Sequence, residues 1–371
     1  MGLKKNIVLI CSNYAWTVFN FRLSLIKELK ERGYKVVVLT QFDGNEKLLQ
    51  NYVDEIRPLF ISRKGINPFI DLFTLLDLVR NFIKIKPDYL LLFTIKPNIY
   101  GALLASFLNI RTFVTITGLG TAFMRNNWLK ALSKYLYKIS LKSVNKAFFQ
   151  NNDDKNYFIE NNLVSSELSE IIPGSGVDLI HFNFVPLPHL KDITFLLIAR
   201  LIWDKGIGEY IEASKIIKKN YPNAKFQILG PLGVENRSSI SRRVVDDWVT
   251  SDIVEYLGEK DDVRPYIERA SCIVLPSYRE GMSKSLIEAA SMGRPIVTSN
   301  IAGCKEIVND GITGLLCKPK NHIDLAEKLE IFINLSFEKQ KIMGIRAREK
   351  AVREFDQTFI NKIYINALSK T

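Results

Sequence analysis

Apolar runs of strand length alternate with helical patterns along the whole of this 371-residue sequence, and the alternation breaks once and restarts. Those two features predict an α/β protein built of two Rossmann-like domains. A third agrees: the strand-like runs are apolar without alternation, as expected of parallel-sheet strands covered on both faces.

In chain order, residues 5–11 read as a strand, 20–33 as a helix stopped by Gly33, and 35–40 as a strand. A helix is expected over 70–86, a strand over 89–95, a helix over 99–109 and a strand over 112–117. The segment WLKALSKYLYKISLKSVNKAFF, 128–149, reads as one further helix with lysines every fourth residue. Two prolines in VPLPHLKD (185–192) interrupt the pattern, which places a domain boundary between 1–187 and 188–350. Strands are then expected over 193–201, 225–230, 253–258, 271–277 and 294–299. A last helix at about 351–369, within the terminal segment 351–371, is placed to cross back to the first domain. The carboxyl ends of the strands, in a cleft between the two halves, are the expected ligand site.

With 47% hydrophobic and 24% charged residues the composition is that of a globular protein. No apolar run approaches the roughly 18 residues that cross a bilayer. The N-terminal run reads as a first strand, not a signal peptide, and position 6 lacks the Ser or Thr of a myristoylation site. Cys11, Cys272, Cys304 and Cys317 form no CxxC pair and read as buried small hydrophobes in a reducing compartment. The net charge of +12 is uneven: residues 80–149 hold eleven basic residues against the single acid Asp88. Such a region asks for an anionic partner, whether nucleic acid, phosphorylated substrate or membrane surface.

Two segments carry chemistry. In REGMSKSLIEAASMGRPIV (279–297) a strand leads through a turn at Glu280 and Gly281 into a helix that Ser283 or Ser285 can cap. The amides at such a helix start suit a phosphate, while Glu280 and Glu288 can accept hydrogen bonds from sugar and ribose hydroxyls. Taken alone, two glutamates eight apart also arise by chance. In ARLIWDKGIGEYIEA (199–213) a strand delivers Arg200, followed by Lys205 in a turn, two cations that can bind a diphosphate and stabilise it as a leaving group. A solvated basic turn is the competing reading for Lys205.

Together the two segments, some 80 residues apart, resemble the GT-B glycosyltransferases of family 4, and GCKEIVNDGITGLL (303–316) resembles that family's Gly-x-x-Glu turn. The resemblance implies transfer of a sugar from a nucleotide donor with retention of configuration, with no metal and no cofactor beyond a UDP-sugar co-substrate. It gives Arg200 and Lys205 the donor diphosphate, Glu280 the donor sugar and Glu288 the ribose. Gly281, Met282, Ser283 and Ser285 would line the donor site. In the mechanism proposed for the family the leaving phosphate takes the acceptor's proton, which fits the lack of an evident acid/base pair.

Many family members place a histidine after the strand corresponding to 112–117, but this chain reads TGLGTAF (117–123). The three histidines, His181, His189 and His322, lie elsewhere and read as surface or packing residues. TGLG and TIKPNIYGALLAS (94–106) resemble the subgroup that builds capsule, O-antigen and lipid-linked glycans, including the N-acetylgalactosaminyltransferases of bacterial N-glycan assembly. By that likeness Thr117, Gly118 and Gly120 lie near the reacting centre. Asn13 is a candidate for acceptor contact. Arg22 and Lys96 are candidates for an acceptor diphosphate or, equally, surface charges.

On a helical wheel Lys130, Lys134, Lys138, Lys142 and Lys146 sweep an arc of about 160° opposite Trp128, with apolar residues blurring the pattern past Leu141. A solvated face, a nucleic-acid arm and a membrane-facing helix compete; no recognition fold supports the second, and the regional basic excess favours the third. The expectation is a peripheral, monotopic enzyme on the cytoplasmic face of a bacterial inner membrane. It would move an N-acetylhexosamine from a UDP-sugar to a polyprenyl-diphosphate-linked glycan and contact no nucleic acid. The alternatives are a GT-B nucleotide-sugar epimerase or a non-catalytic subunit that binds nucleotide sugar or lipid.

Overall fold

A computed structural model describes residues 6–62, 67–119, 128–189, 191–234 and 236–369. Cα packing divides the chain into two units, Met1–Ser175 with Gln357–Thr371, and Gly176–Asp356.

The first unit is a parallel sheet of seven strands. β1 (Ile7–Tyr14), β2 (Lys35–Gln41), β3 (Glu55–Pro58), β4 (Tyr89–Phe93), β5 (Arg111–Ile116), β6 (Lys146–Phe149) and β7 (Ser169–Ile171) lie in the order β3-β2-β1-β4-β5-β6-β7. Strand order, laid down from β1 to β3 on one side and from β4 to β7 on the other, reverses between β1 and β4, the topological switch point of a Rossmann-like sheet. One face packs beneath α3 (Pro68–Ile85), α4 (Ala102–Phe107), α5 (Trp128–Ser140) and α6 (Asn152–Glu160), with Leu9, Leu90, Val114 and Phe149 at its centre. The other face packs under α1 (Ala15–Glu31) and α13 (Gln357–Ser369) through Val8, Ile10, Leu91 and Phe148, and α2 (Glu46–Leu49) adds Leu49 to that layer. α3 shows how sequence sets bounds: Pro68 opens it, the Asn67 side chain accepts from the amides of Phe69 and Ile70, and left-handed Lys86 before Pro87 ends it.

The second unit holds six parallel strands, β8 (Thr194–Ile198), β9 (Lys225–Leu229), β10 (Glu255–Tyr256), β11 (Cys272–Leu275), β12 (Ile296–Ser299) and β13 (Gly314–Cys317), in the order β10-β9-β8-β11-β12-β13. Its switch point lies between β8 and β11. The helices are α7 (Ile207–Asn220), α8 (Arg242–Thr250), α9 (Arg264–Arg269), α10 (Lys284–Ser291), α11 (His322–Ile333) and α12 (Phe337–Glu354).

Three expectations change. The units divide at Ser175/Gly176, not at 187/188. The buried Arg294 guanidinium binds the carbonyls of Val185 and Pro186, and Arg348 binds those of Leu179 and Phe182, which ties that segment into the second unit. The single helix expected at 351–369 is two, broken where Val177 donates to the Phe355 carbonyl at 2.8 Å. The helix expected over 128–149 ends at Ser140, passes through one tight turn (Leu141–Ser143) and becomes β6. The run from Val144 to Phe149 is too apolar for an exposed helix and fills a slot beside β5, with Phe113 opposite Lys146 and Ile116 opposite Phe149.

Candidate active site

Both strands at the switch point of the second unit deliver site residues. Beyond β8 the chain runs through exposed Arg200 to a 3₁₀ turn, Trp203–Lys205, closed by Gly206. Gly206 has φ +71°, and a Cβ there would lie 1.9 Å from the Pro276 carbonyl oxygen, so the turn seats directly on the chain leaving β11. The Tyr278 amide donates to the Asp204 carbonyl at 2.9 Å, and the Ser277 hydroxyl reaches the same oxygen at 3.2 Å. This seating brings Lys205 Nζ within 2.5 Å of Glu280 Oε1, both side chains largely shielded. The two predicted segments therefore meet as one site. Among the described residues no acid pairs with Arg200.

Under Glu280 lies Gly303, whose φ is +79° and whose Cβ would come within 2.7 Å of the Glu280 and Gly281 carbonyl oxygens. Gly303 donates to Glu306 at 2.7 Å and its carbonyl accepts the Ser283 amide at 2.9 Å. The Gly-x-x-Glu segment thus props the Glu280 turn from below. Two details of the sequence reading are corrected here. Ser283 stands at the N-cap of α10, but neither its hydroxyl nor that of Ser285 caps the helix; the two hydroxyls lie 3.4 Å apart. The Ser283 amide, expected to face sugar or phosphate, is already engaged by Gly303. The uncapped positive end of α10 keeps the character of an anion site. Met282 is half-buried against the core below.

Glu288, one and a half turns into α10, is buried, with Lys284 Nζ at 3.8 Å. Burial raises its carboxyl to about 7, against a smaller pull downward from Lys284. Sequence reasoning missed Tyr278, whose hydroxyl donates to Glu209 at 2.7 Å and whose ring carries Lys320 Nζ 5.0 Å from its centre. A tyrosine just after a strand was the available signal. The four cysteines are buried and unpaired, and burial raises each thiol's pKa. Among the described residues no group of three or more His, Cys, Asp or Glu gathers as for a metal. His181, His189 and His322 are exposed.

In the first unit the acceptor candidates sit at the matching switch point. Asn13 lies next to the end of β1 with its buried Oδ1 unpartnered. Arg22 and Lys96 are not the surface charges considered as one reading. Arg22 is buried, its guanidinium 4.1 Å over the Phe93 ring and 5.9 Å from that of Tyr364, its Nε without a partner. Burial lowers its pKa, with Tyr364 acting weakly in the opposite direction. Lys96, at the start of a π-helical turn Pro97–Gly101, is paired with Asp71 at 2.6 Å. Thr117 and Gly118 (φ +121°) follow β5, and Gly120 lies outside the described residues.

The five lysines do not form one stripe. Lys130 and Lys134 reach toward the Tyr157 ring on α6, and Lys134 also donates to Asn161 at 2.5 Å. Lys138 is exposed, Lys142 sits in the turn after the helix, and Lys146 opens β6 and donates to the Glu167 carbonyl at 3.0 Å. Trp128 projects from the start of α5, 69% exposed.

A family model described as glycosyl transferases group 1 matches residues 182–350, and one described as glycosyl transferase 4-like matches 7–151. The chain is 27% identical, over 94% of both sequences, to the N,N'-diacetylbacillosaminyl-diphospho-undecaprenol alpha-1,3-N-acetylgalactosaminyltransferase of Campylobacter jejuni. It is 25% identical, over 90% of both, to the Escherichia coli UDP-Gal:alpha-D-GlcNAc-diphosphoundecaprenol alpha-1,3-galactosyltransferase. In fold it resembles the sucrose-phosphate synthase of Thermosynechococcus elongatus (TM-score 0.82, 17% identity, covering 99% of this chain and 100% of that one). It also resembles Anabaena HepE in complex with UDP-glucose (TM-score 0.80, 16% identity, covering 98% and 100%). Two family models spanning both units, joined to a pair of parallel sheets with charged residues at the switch point, make this chain an enzyme of the GT-B glycosyltransferase family.

Proposed function

We propose that the protein transfers an N-acetylhexosamine from a UDP-sugar, with retention of configuration, to a polyprenyl-diphosphate-linked glycan. The observation that carries this reading is the 2.5 Å Lys205–Glu280 pair at the switch point of the second unit, beside the uncapped start of α10. Arg200 and Lys205 would meet the donor diphosphate, Glu280 the sugar hydroxyls and Glu288 the ribose, while Gly281, Met282 and Ser285 line the pocket. As the bond from the anomeric carbon to the phosphate oxygen breaks, that oxygen gains charge, which the two cations stabilise. The new bond forms on the same face, and the acceptor hydroxyl's proton passes to the departing phosphate. The enzyme's part is then positioning and electrostatics.

Support for the acceptor comes from two relatives that act on undecaprenyl-diphosphate sugars, one of which transfers N-acetylgalactosamine. Asn13, Arg22, Lys96, Thr117, Gly118 and Gly120 are proposed to serve that acceptor. The enzyme would act peripherally at the cytoplasmic face of a bacterial inner membrane, and among the described residues no helix is long and apolar enough to cross one.

The test is nucleotide release by the purified protein against a panel of UDP- and GDP-sugars with a polyprenyl-diphosphate glycan fraction, followed by determination of the product's anomeric configuration. Release that needs both one UDP-sugar and the lipid fraction is the expected result. Interconversion of a UDP-sugar without any acceptor would overturn the reading in favour of an epimerase.

A further inference from the structure

The lysine-rich segment is not the most unusual surface of the first unit. α3 buries Asp71, Thr74, Leu78, Asn81, Phe82 and Ile85 along one side. At 100° per residue these span an arc of about 100°. The opposite arc, about 120° wide on the same rule, carries Phe69, Leu72, Phe73, Leu76 and Ile83, and all five are exposed, Phe69 at 77% and Phe73 at 61%. Phe60, also exposed, sets its ring edge-on to Phe73 with centroids 6.4 Å apart and widens the apolar strip. A water-facing helix normally shows polar groups on this side, and a contiguous exposed apolar strip marks an interaction surface.

The charges say what covers it. Arg80 and Lys84 are exposed within the same arc, toward the end of the helix. Of the two acids of α3, Asp71 is buried and pairs with Lys96 at 2.6 Å, while Asp77, at the margin of the strip, accepts from the Phe60 amide at 2.9 Å and from Asn81 at 3.1 Å. The face is therefore apolar with exposed Arg80 and Lys84 toward its end, and the one acid at its margin, Asp77, is half-buried and tied to Phe60 and Asn81. A second copy of this chain, docked by symmetry, would bring like charges toward like. An anionic bilayer satisfies both features, taking phenylalanine and leucine side chains into the interface and arginine and lysine among the phosphates.

We infer that α3, with Phe60, is the surface by which this enzyme docks on an anionic membrane. The helix, about 27 Å long at 1.5 Å per residue, lies in the interface plane. Its Phe69–Phe73 end stands beside the carboxyl end of β4, fixed there by the Asp71–Lys96 pair. Docking thus brings headgroups to the edge of the sheet that carries the acceptor candidates. The inference rests on the reading that the acceptor is membrane-borne.

Flotation of the full-length protein with vesicles of phosphatidylglycerol and phosphatidylethanolamine, and with phosphatidylcholine alone, tests it. The wild type is expected to float with the anionic vesicles. Phe69→Ser/Phe73→Ser should lower its partition roughly tenfold or more, and Arg80→Glu/Lys84→Glu should lower it about fivefold per charge. Lys138→Glu/Lys142→Glu should change it least. Melting temperature and UDP affinity check that each variant is folded. Equal partition of the phenylalanine variant and the wild type overturns the inference, as does a wild type that floats with neither lipid. A wild-type dimer in solution that the phenylalanine variant converts to monomer overturns it in favour of a second copy. Transfer by the wild type to a short-chain, water-soluble polyprenyl-diphosphate acceptor, measured without vesicles, separates failure of docking from failure of the transferase reading.

Discussion

The switch points of the two sheets are built alike and finished differently. In the second unit the charged and tyrosine side chains of the site have found partners: Lys205 holds Glu280, Gly303 holds both Glu306 and the Ser283 amide, and Tyr278 holds Glu209, while Ser291 Oγ and Ser299 Oγ stay buried and unpartnered. In the first, Ser12 Oγ, Asn13 Oδ1, Thr40 Oγ1 and Gln41 Oε1 at the carboxyl ends of β1 and β2, and Arg22 Nε over Phe93 at the end of β4, are buried with no hydrogen-bond partner. A buried polar atom left unpaired costs about 1–3 kcal/mol. Under the proposed assignment of donor to the second unit, its paired charges are preorganised, which suits a site that must stabilise charge at the moment it develops. Under the same proposal, the first unit's unpartnered atoms are hydrogen-bonding capacity that a bound acceptor would take up.

The sharpest way to break that contrast is at the Lys205–Glu280 pair. Lys205→Met and Glu280→Gln should each lower kcat by a factor on the order of 10²–10³ with little change in melting temperature. Turnover at the wild-type rate by either variant under saturating donor would remove the pair from the site.

Glu288 gives a smaller effect with a definite sign. Its carboxyl is held near 7 in the folded protein against an ordinary value of 4.5. The folded state thus keeps its proton over a range where the unfolded chain has lost it. Stability from this group is fully present below about 4.5 and is lost as pH rises through about 7, amounting to at most about 3 kcal/mol. Glu288→Gln, which cannot ionise, should therefore melt higher than the wild type at pH 8 and alike at pH 4, while binding UDP less tightly. Melting curves across that range decide it; a gap of the same size at both ends would sink the assignment.

The alternation that makes two parallel sheets was legible in the sequence, and so were the two short segments, each a strand and the turn that leaves it, whose Lys205 and Glu280 the fold brings together. The donor roles proposed for Arg200, Lys205, Glu280 and Glu288 rest on those segments. What could not be read was long-range. That Gly206 sits on Pro276 and Gly303 under Glu280 depends on contacts 70 and 23 residues apart, which no local pattern encodes. Lysines recurring every fourth residue carried the helix expectation through the turn at 141–143 into β6, because that spacing persists whatever the backbone does. Surface charge stood as an equal reading for Arg22 because the rings that bury it, Phe93 and Tyr364, lie far along the chain, the second in its last helix.

Arg22 tests whether the reserve in the first unit is real. A buried guanidinium with an unpartnered Nε, stacked on Phe93, can be replaced by an apolar side chain of similar length at little or no cost in stability. Arg22→Met is expected to leave the melting temperature unchanged or raised and to increase the KM for the lipid-linked acceptor without altering that for the donor. A fall in melting temperature with acceptor KM unchanged would make Arg22 a packing residue only.

The smallest effect isolates the contrast most cleanly, because the same substitution can be made in both halves. Thr40 and Thr298 are both buried threonines near the ends of parallel strands, β2 and β12. Thr298 Oγ1 donates to the Leu275 carbonyl at 2.6 Å, whereas Thr40 Oγ1 has no partner. Valine keeps the shape and removes the hydroxyl. At position 298 it deletes a made hydrogen bond and should cost about 1 kcal/mol; at position 40 it deletes an unmet one and should be neutral or stabilising by up to about 1 kcal/mol. If the first unit binds the acceptor as proposed, Thr40→Val should show its loss there, as a raised acceptor KM. If both variants melt lower by the same amount, the two switch points are equally satisfied in solution and the distinction between a finished and an unfinished half falls.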